Sequence, residues 1–335
     1  MFFSQLTILA ALAANSILPG VQASPLSSLQ ELQKRADPSC TAPADGFASL
    51  NGGTTGGAGG TVVTVTTQAD LAKFAKASGK HVIKVKGRIT IAPKGTEIEV
   101  TNDKTIIGIG ATGEIFQGGF KLNAAKNVIF RNLKIGNTYV EGDEEGKTQD
   151  FDGIQMDTAS NVWIDHVLME KGGDGLIDSR KDTNFLTVSN SVLQNHNKAF
   201  GIGWTENVVA QITIHHNYFL NTNQRNPSAD NIKYAHLYNN YVVGAKSYGH
   251  YARGQTEMRM ENVFFENSKN PVTADASAKL TVSGNVYKST SGTVAKNQGT
   301  VFNPSSFYKY TLTPTNDVPS VVKAEAGPKA SICTS

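Results

Sequence analysis

Apolar and polar residues alternate in short runs through most of the chain, and the runs fall into a repeating frame. The segment 127–135, Asn-Val-Ile-Phe-Arg-Asn-Leu-Lys-Ile, aligns with 161–169, Asn-Val-Trp-Ile-Asp-His-Val-Leu-Met. The same nine-residue frame recurs from Phe185, Gln211, Tyr234, Glu257 and Lys279. Apolar residues hold its second and fourth positions, a polar or small pair lies near the middle, and apolar residues return at the end. Alternation before the bend has the period of a strand, so each frame predicts two short strands around a corner. From Asn161 onward the frames recur roughly every 22–26 residues, a spacing that belongs to a solenoid. One coil cannot bury its own apolar face, so the coils must stack into a single domain. The pattern predicts an all-β protein, a parallel β-helix.

The corner position is held in turn by Asn132, His166, Asn190, His216, Asn239 and Asn262. Asn tolerates left-handed backbone and hydrogen-bonds to neighbouring coils, so this row is expected to be structural. His166 shares the corner and is expected to be a buried, hydrogen-bonded histidine. Ahead of the repeat, Thr67-Gln68-Ala69-Asp70 has the character of a helix N-terminus, and Leu71, Phe74 and Ala75 follow at helical spacing until Gly79. This predicts a short amphipathic helix plugging the open end of the solenoid. The segments 82–85 and 89–91 read as strands, with turns at Lys86-Gly87 and Pro93-Lys94-Gly95. After Asn303 the repeat is lost among Pro304, Pro314 and Pro319, and the tail is expected to run back along the outside.

Composition narrows the partners. The 335 residues carry a net charge of +3, with no basic run and no aromatics interleaved with Lys or Arg, which argues against nucleic acid. The apolar stretch 6–18 is too short to span a bilayer, and Val21-Gln22-Ala23 forms a small-x-small cleavage site before Ser24. Residues 1–23 therefore read as a signal peptide, 24–35 as a propeptide ending at Lys34-Arg35, and 36–335 as one catalytic domain. No other stretch is long enough to cross a membrane, and secretion is expected. Cys40 and Cys333 form a disulfide in an oxidising compartment or remain two free thiols. Asn226 and Asn303 precede proline, which removes them as glycosylation sites. An elongated solenoid without an obvious apolar patch is expected to be a monomer.

Chemistry concentrates between 150 and 225. Asp150 and Asp152 lie two apart in an extended segment and point to one side; Asp174 and Asp178 follow one coil later. Carboxylates on adjacent coils, with no Cys nearby and no His at ligand spacing, suit a hard cation with oxygen ligands, Ca²⁺ outside the cell. Spacing alone leaves solvated acidic turns equally open. Lys198, Arg225 and Arg253 fall in successive later coils, the first two in loops. Taken singly they are surface cations; stacked beside the acidic group they form a strip on which a polyanionic chain can lie. Trp204 stands in a loop near Lys198 and either stacks on a sugar or packs the loop.

The run Val162-Trp163-Ile164-Asp165-His166, with Arg225-Asn226-Pro227 after His215-His216-Asn217-Tyr218, resembles the pectate lyases, especially secreted fungal ones. The likeness extends from Leu50-Asn51-Gly52-Gly53 to Asn270-Pro271-Val272-Thr273. It implies a right-handed single-stranded parallel β-helix and Ca²⁺-dependent β-elimination within polygalacturonate. It implies that Asp152, Asp174 and Asp178 are primary calcium ligands and that Asp150 contacts further calcium with substrate bound. Lys198 and Arg253 correspond to substrate-binding cations and Arg225 to the base. A free guanidinium has a pKa above about 12, so an alkaline optimum is expected. The family often has a second Arg five residues after the base, where this chain has Asp230.

Three rival readings stand beside this one. A pectin lyase acting on methyl-esterified polymer needs no calcium cluster and lines its cleft with aromatics, against the Asp152, Asp174 and Asp178 set and only two Trp. A hydrolase needs metal-free carboxylates spaced to admit water. A non-catalytic polygalacturonate-binding β-helix has no reason to keep Arg225 beside the acidic set.

Overall fold

The computed structural model describes residues 40–143 and 145–334. The expected leader at 1–23 and propeptide at 24–35 lie outside the described residues. The chain winds as a parallel β-solenoid with three strands to a full coil, forming sheets of ten, nine and eight strands. The first sheet runs from Thr61–Val65 to Lys279–Ser283, the second from Arg88–Thr90 to Val286–Lys288 and the third from Thr96–Glu99 to Val272–Ala274. All named strand pairs are parallel; Ser160–Asp165, for example, sets Val162 opposite Val128 and Leu186.

The second and fourth positions of the sequence frame form the interior. Val162, Ile164, Leu186, Val188, Ile212 and Ile214 are all fully buried in one continuous apolar core, which dominates the stability of such a stack. The corners are left-handed as expected, with φ of 58° at Asn132, 51° at His166, 46° at Asn190, 52° at His216, 51° at Asn239 and 50° at Asn262. The interlocked ladder, however, lies one residue later. Asn217 and Asn240 are fully buried; Asn240 Oδ1 accepts from Asn217 N at 3.0 Å, and Asn217 Oδ1 accepts from Ser191 N at 3.0 Å.

The repeat also begins earlier than the frames from Asn127 indicate. Thr61–Val65, His81–Val85 and Lys104–Gly108 are already members of the first sheet. Their corners lack the Asn that marks later coils, so the frame does not register them. The predicted helix is Gln68–Lys76, labelled α1. Thr67 caps it, its Oγ1 accepting from Asp70 N at 3.1 Å, and Leu71 and Ala75 point into the core. It closes the end of the stack against His81–Val85 and Thr96–Glu99.

The outward face of the first sheet is covered twice. An N-terminal arm crosses it, with Phe47 N donating to Thr213 Oγ1 at 3.0 Å and Ala48 N to Thr187 Oγ1 at 3.1 Å. Gly46 has φ +55°, and a Cβ there would meet Thr187 and Thr213 at 2.7 Å, so glycine is required for this approach. The C-terminal tail runs back over the corners as expected: Asn239 Nδ2 donates to Thr313 O at 2.8 Å, and Asn132 Oδ1 accepts from Lys329 N at 2.7 Å. Val318–Glu325, labelled α2, packs Val318 and Val322 against Tyr241 and Phe264. The tail ends at the Cys40–Cys333 disulfide, which joins residues 293 apart in sequence. Reduction is expected to cost about 2–5 kcal/mol, because the bond constrains a long loop of the unfolded chain. Thermal unfolding with and without reductant checks this; an unchanged midpoint would mean that the tail is held by its other contacts alone.

A buried polar seam joins tail to sheet. His236 lies between Tyr308 Oη at 2.8 Å and Glu261 Oε2 at 3.0 Å, and Tyr310 Oη donates to the same carboxylate at 2.7 Å. Burial outweighs the attraction of Glu261 and lowers the His236 pKa to about 4. The unfolded chain thus binds the extra proton first, and stability is lost as pH falls from about 6.5 towards about 4. Chemical unfolding across that window should show a loss on the order of 2 kcal/mol that His236→Gln flattens. A wild-type slope that persists in the variant would place the acid sensitivity elsewhere.

Candidate active site

The third strand of each coil, which the nine-residue frame does not include, carries the site. Register places Gln155, Asp178, Gly201, Ser228 and Tyr251 side by side across five coils. Two positions further on, Asp157, Arg180 and Gly203 form a second row, continued by Asp230 opposite Arg253. Loops from the second sheet deliver the remaining groups to the edge of this surface. Asp150 and Asp152 end the loop 137–153, and Asp174 lies in the loop 171–176.

Lys198 and Arg225 are held more firmly than loop residues. Lys198 is the last residue of Val192–Lys198 and pairs in register with Gln224. Arg225 directly follows Tyr218–Gln224, with a left-handed φ of 56°. That conformation costs a non-glycine residue about 1–3 kcal/mol, so its surroundings must impose it. Arg225 O accepts from Phe200 N at 2.6 Å, the next peptide, Asn226-Pro227, is cis, and Asn226 is fully buried. Its side chain accepts from Thr222 Oγ1 at 2.5 Å and donates to Tyr248 O at 2.9 Å. The Arg225-Asn226-Pro227 run is thus a mount for one exposed-edge guanidinium.

Three of the four predicted metal ligands assemble. One oxygen each of Asp150, Asp152 and Asp174 lies within 4.8 Å of the others. Asp152 is fully buried; its Oδ1 accepts from Gly175 N at 2.7 Å, while its buried Oδ2 has no hydrogen-bond partner among the described residues. Leaving a carboxylate oxygen so placed is unfavourable without a cation. Burial, followed by the charges of Asp150 and Asp174, pushes the Asp152 carboxyl up to about 7. All-oxygen donors crowded in this way fit Ca²⁺. Asp178 stands outside the tight set, with Oδ1 3.9 Å from Arg225 Nη1. Burial, followed by the charge of Asp152, raises its pKa well above the ordinary value.

Several neighbours escaped the sequence reading. Gln155 Nε2 donates to Asp150 Oδ2 at 2.9 Å, and Arg180 Nη1 lies 3.7 Å from the same oxygen. Arg180 is two residues after Asp178 on one strand, so period-two spacing was the available signal. Glu97, on an earlier coil, is pushed up to about 8 by burial and then by Asp152. No local pattern marks it.

Lys198 Nζ touches the Asp174 carboxylate and donates to Glu145 O at 2.6 Å. Beyond it a pocket of about 250 Å³ opens, lined by Gly201, Trp204, Arg225, Ser228, Asp230 and Arg253 among others. Trp204 is 49% exposed, and its ring centroid lies 5.3 Å from the Arg225 guanidinium carbon. Arg253 lies over the ring of Tyr251 at 5.1 Å. The acidic set, Lys198, Arg225 and Arg253 therefore follow one another along the coils.

The motif that carries most of the resemblance does different work. Trp163 faces outward beneath the N-terminal arm with Ala42, Ala48 and Ile129. Asp165 is buried between Arg131 Nε at 2.9 Å and His166 Nδ1 at 2.7 Å. Burial alone would raise its pKa, but His166 and Arg131 hold it well below the usual carboxylate range. His166 is 2% exposed and structural, as expected.

Comparison with known proteins gives the family. The sequence model of the family described as pectate lyase matches residues 6–331. A pectate trisaccharide-lyase of Thermotoga sp. (strain RQ2) is 34% identical over 84% of this chain and 88% of its own length. The pectate lyase plyB of Emericella nidulans is 36% identical over 80% of each chain. Among solved structures, the pectate lyase Bsp165PelA from Bacillus sp. N165, in complex with trigalacturonate, superposes with a TM-score of 0.74 at 29% identity, over 85% of this chain and 98% of that one. Relatives are thus both bacterial and fungal, and they do not single out a fungal type. Matches of sequence and fold over most of the chain agree, and the chain belongs to the pectate lyase family of polysaccharide lyases.

Proposed function

We propose that this chain cleaves (1→4)-α-D-galacturonan by Ca²⁺-dependent β-elimination, with Arg225 as the base that removes the C5 proton. The observation that carries the reading is the buried Asp152 Oδ2, without a hydrogen-bond partner among the described residues, in a three-carboxylate set one coil from Lys198 and two from Arg225. Asp150, Asp152 and Asp174 would hold the ion, with Asp178 completing the set on the side of Arg225. Bound calcium would neutralise the substrate carboxylate and so acidify the C5 hydrogen alpha to it. Lys198 turns from Asp174 towards that carboxylate, and Arg253 contributes to substrate binding further along the strip. Arg225, fixed by the buried Asn226, takes the C5 proton at a guanidine nitrogen. The C5–H electron pair becomes the C4=C5 double bond, and the C4–O bond breaks with its pair leaving on oxygen, which solvent protonates. The product carries a 4,5-unsaturated galacturonate at its non-reducing end.

The leader-like N-terminus supports a secreted enzyme that acts on extracellular pectate, and a solenoid without an obvious apolar patch supports a monomer. Among the described residues no helix is long and apolar enough to cross a membrane. The test is ultraviolet absorbance of the unsaturated uronate during incubation with polygalacturonate, with calcium and with a chelator. A calcium-dependent rise is expected. A chelator-resistant rise confined to methylated pectin would replace the reading with a pectin lyase, and the absence of product would leave a binding protein.

A further inference from the structure

The pocket next to Arg225 is not a simple continuation of the cationic strip. Its exposed floor is the ring of Trp204, held there because position 201 is glycine: a Cβ at Gly201 would meet Trp204 Cη2 at 2.4 Å. Trp204 itself has φ +55°, a conformation that an unbranched aromatic residue adopts only when its surroundings impose it. Asp230 forms one wall, opposite Arg253 in strand register, so its carboxylate and the Arg253 guanidinium share the subsite. Arg225, as the proton acceptor, does not serve as a fixed counter-ion. The remaining formal charges in the pocket, those of Asp230 and Arg253, cancel.

We infer that this pocket is built for an uncharged galacturonate, one whose carboxyl is a methyl ester, while the charged uronate occupies the neighbouring acidic and Lys198 side. The inference rests on the lyase reading above and adds the substrate pattern to it. A sugar ring offers its apolar face to Trp204, and its hydroxyls donate to Asp230. An ionised carboxylate in the same place meets Asp230 as a like charge, and repulsion against the wrong group is a common way of building specificity. The preferred polymer therefore alternates ionised and esterified residues, as in partly esterified pectin.

The experiment compares kcat/KM on fully de-esterified polygalacturonate and on pectin of intermediate esterification, for wild type, Asp230→Asn, Asp230→Arg and Trp204→Ala, all with calcium. Wild type should favour the partly esterified polymer. Asp230→Arg should move the ratio roughly tenfold towards the de-esterified one, and the isosteric Asp230→Asn should move it the same way by less, guarding against a misfolded Arg variant. Trp204→Ala should raise KM on the partly esterified polymer more than on the other. Product from both polymers with a ratio that no Asp230 variant changes overturns this inference alone. No unsaturated product from either polymer overturns the lyase reading and this inference with it.

Discussion

Arg225→Lys is expected to lower kcat by about 10³-fold, within the range that a positioned general base contributes, with a far smaller change in KM. The backbone explains why the loss should be catalytic and not structural. The strained φ of Arg225 is held through the bonds of Phe200 N to Arg225 O and of the Asn226 side chain to Thr222 and Tyr248, none of which is made by the guanidinium. Lysine keeps the charge but lacks the planar fork and the reach of a guanidinium along the cleft, so it fails as a geometric substitute. A thermal midpoint close to wild type would accompany the loss. A guanidinium acts as a base only after giving up its own proton, so wild-type kcat should rise with pH through the neutral range. Retention of more than about a tenth of wild-type kcat in the variant, or a profile peaking below neutrality, would remove Arg225 from this role.

The second large effect concerns Asp152 and has two opposite signs. Without calcium, the wild type holds a buried carboxylate whose Oδ2 has no hydrogen-bond partner among the described residues, crowded by Asp150 and Asp174. Asp152→Asn removes that charge yet keeps an oxygen to accept from Gly175 N, the contact made at 2.7 Å by Oδ1. The metal-free variant should therefore be as stable as the metal-free wild type, or more so. Calcium affinity should fall by at least about 30-fold, equivalent to about 2 kcal/mol, because a buried charged partner has been lost. Calorimetric titration with calcium, paired with thermal unfolding, reads both signs in one protein. Calcium raising the midpoint of wild type and variant equally would show that the ion binds elsewhere.

How much of this was legible in the residues follows from what repeats and what does not. The interior positions typified by Val162 and Ile164, and the left-handed corners from Asn132 to Asn262, recur at one spacing and were readable. So was α1, because Thr67, Asp70, Leu71 and Ala75 carry cap and core together. The strands at 82–85 and 89–91 were readable too, but not as members of the repeat, because His81–Val85 and Lys104–Gly108 turn their corners without Asn. The third strand was also missed: it is short, carries Gly201, Gly203 and Ala229, and follows loops of unequal length such as 137–153. Yet that strand bears the chemistry. Spacing and the resemblance together supplied Asp150, Asp152, Asp174, Asp178, Lys198, Arg225 and Arg253 and their order along successive coils, but not the contacts between them. Asp178 against Arg225, Arg180 against Asp150 and Trp204 across Arg225 are contacts between coils, set by stacking register, and no local pattern encodes them. The Trp163-to-His166 run shows the converse. It is the most recognisable stretch of sequence, and its work is to pack Trp163 beneath the N-terminal arm and to bury the Arg131–Asp165 ion pair.

The measurement that reaches the central claim most directly is the mass of the products formed from a defined oligogalacturonate in water enriched in heavy oxygen. β-Elimination adds no water across the broken bond. Two fragments are expected whose masses sum to that of the substrate, one of them unsaturated, with no heavy oxygen at the new reducing end beyond slow exchange. Fragments heavier in sum by one water, with heavy oxygen at the newly formed end, would make this chain a hydrolase and contradict the role of Arg225 as the base.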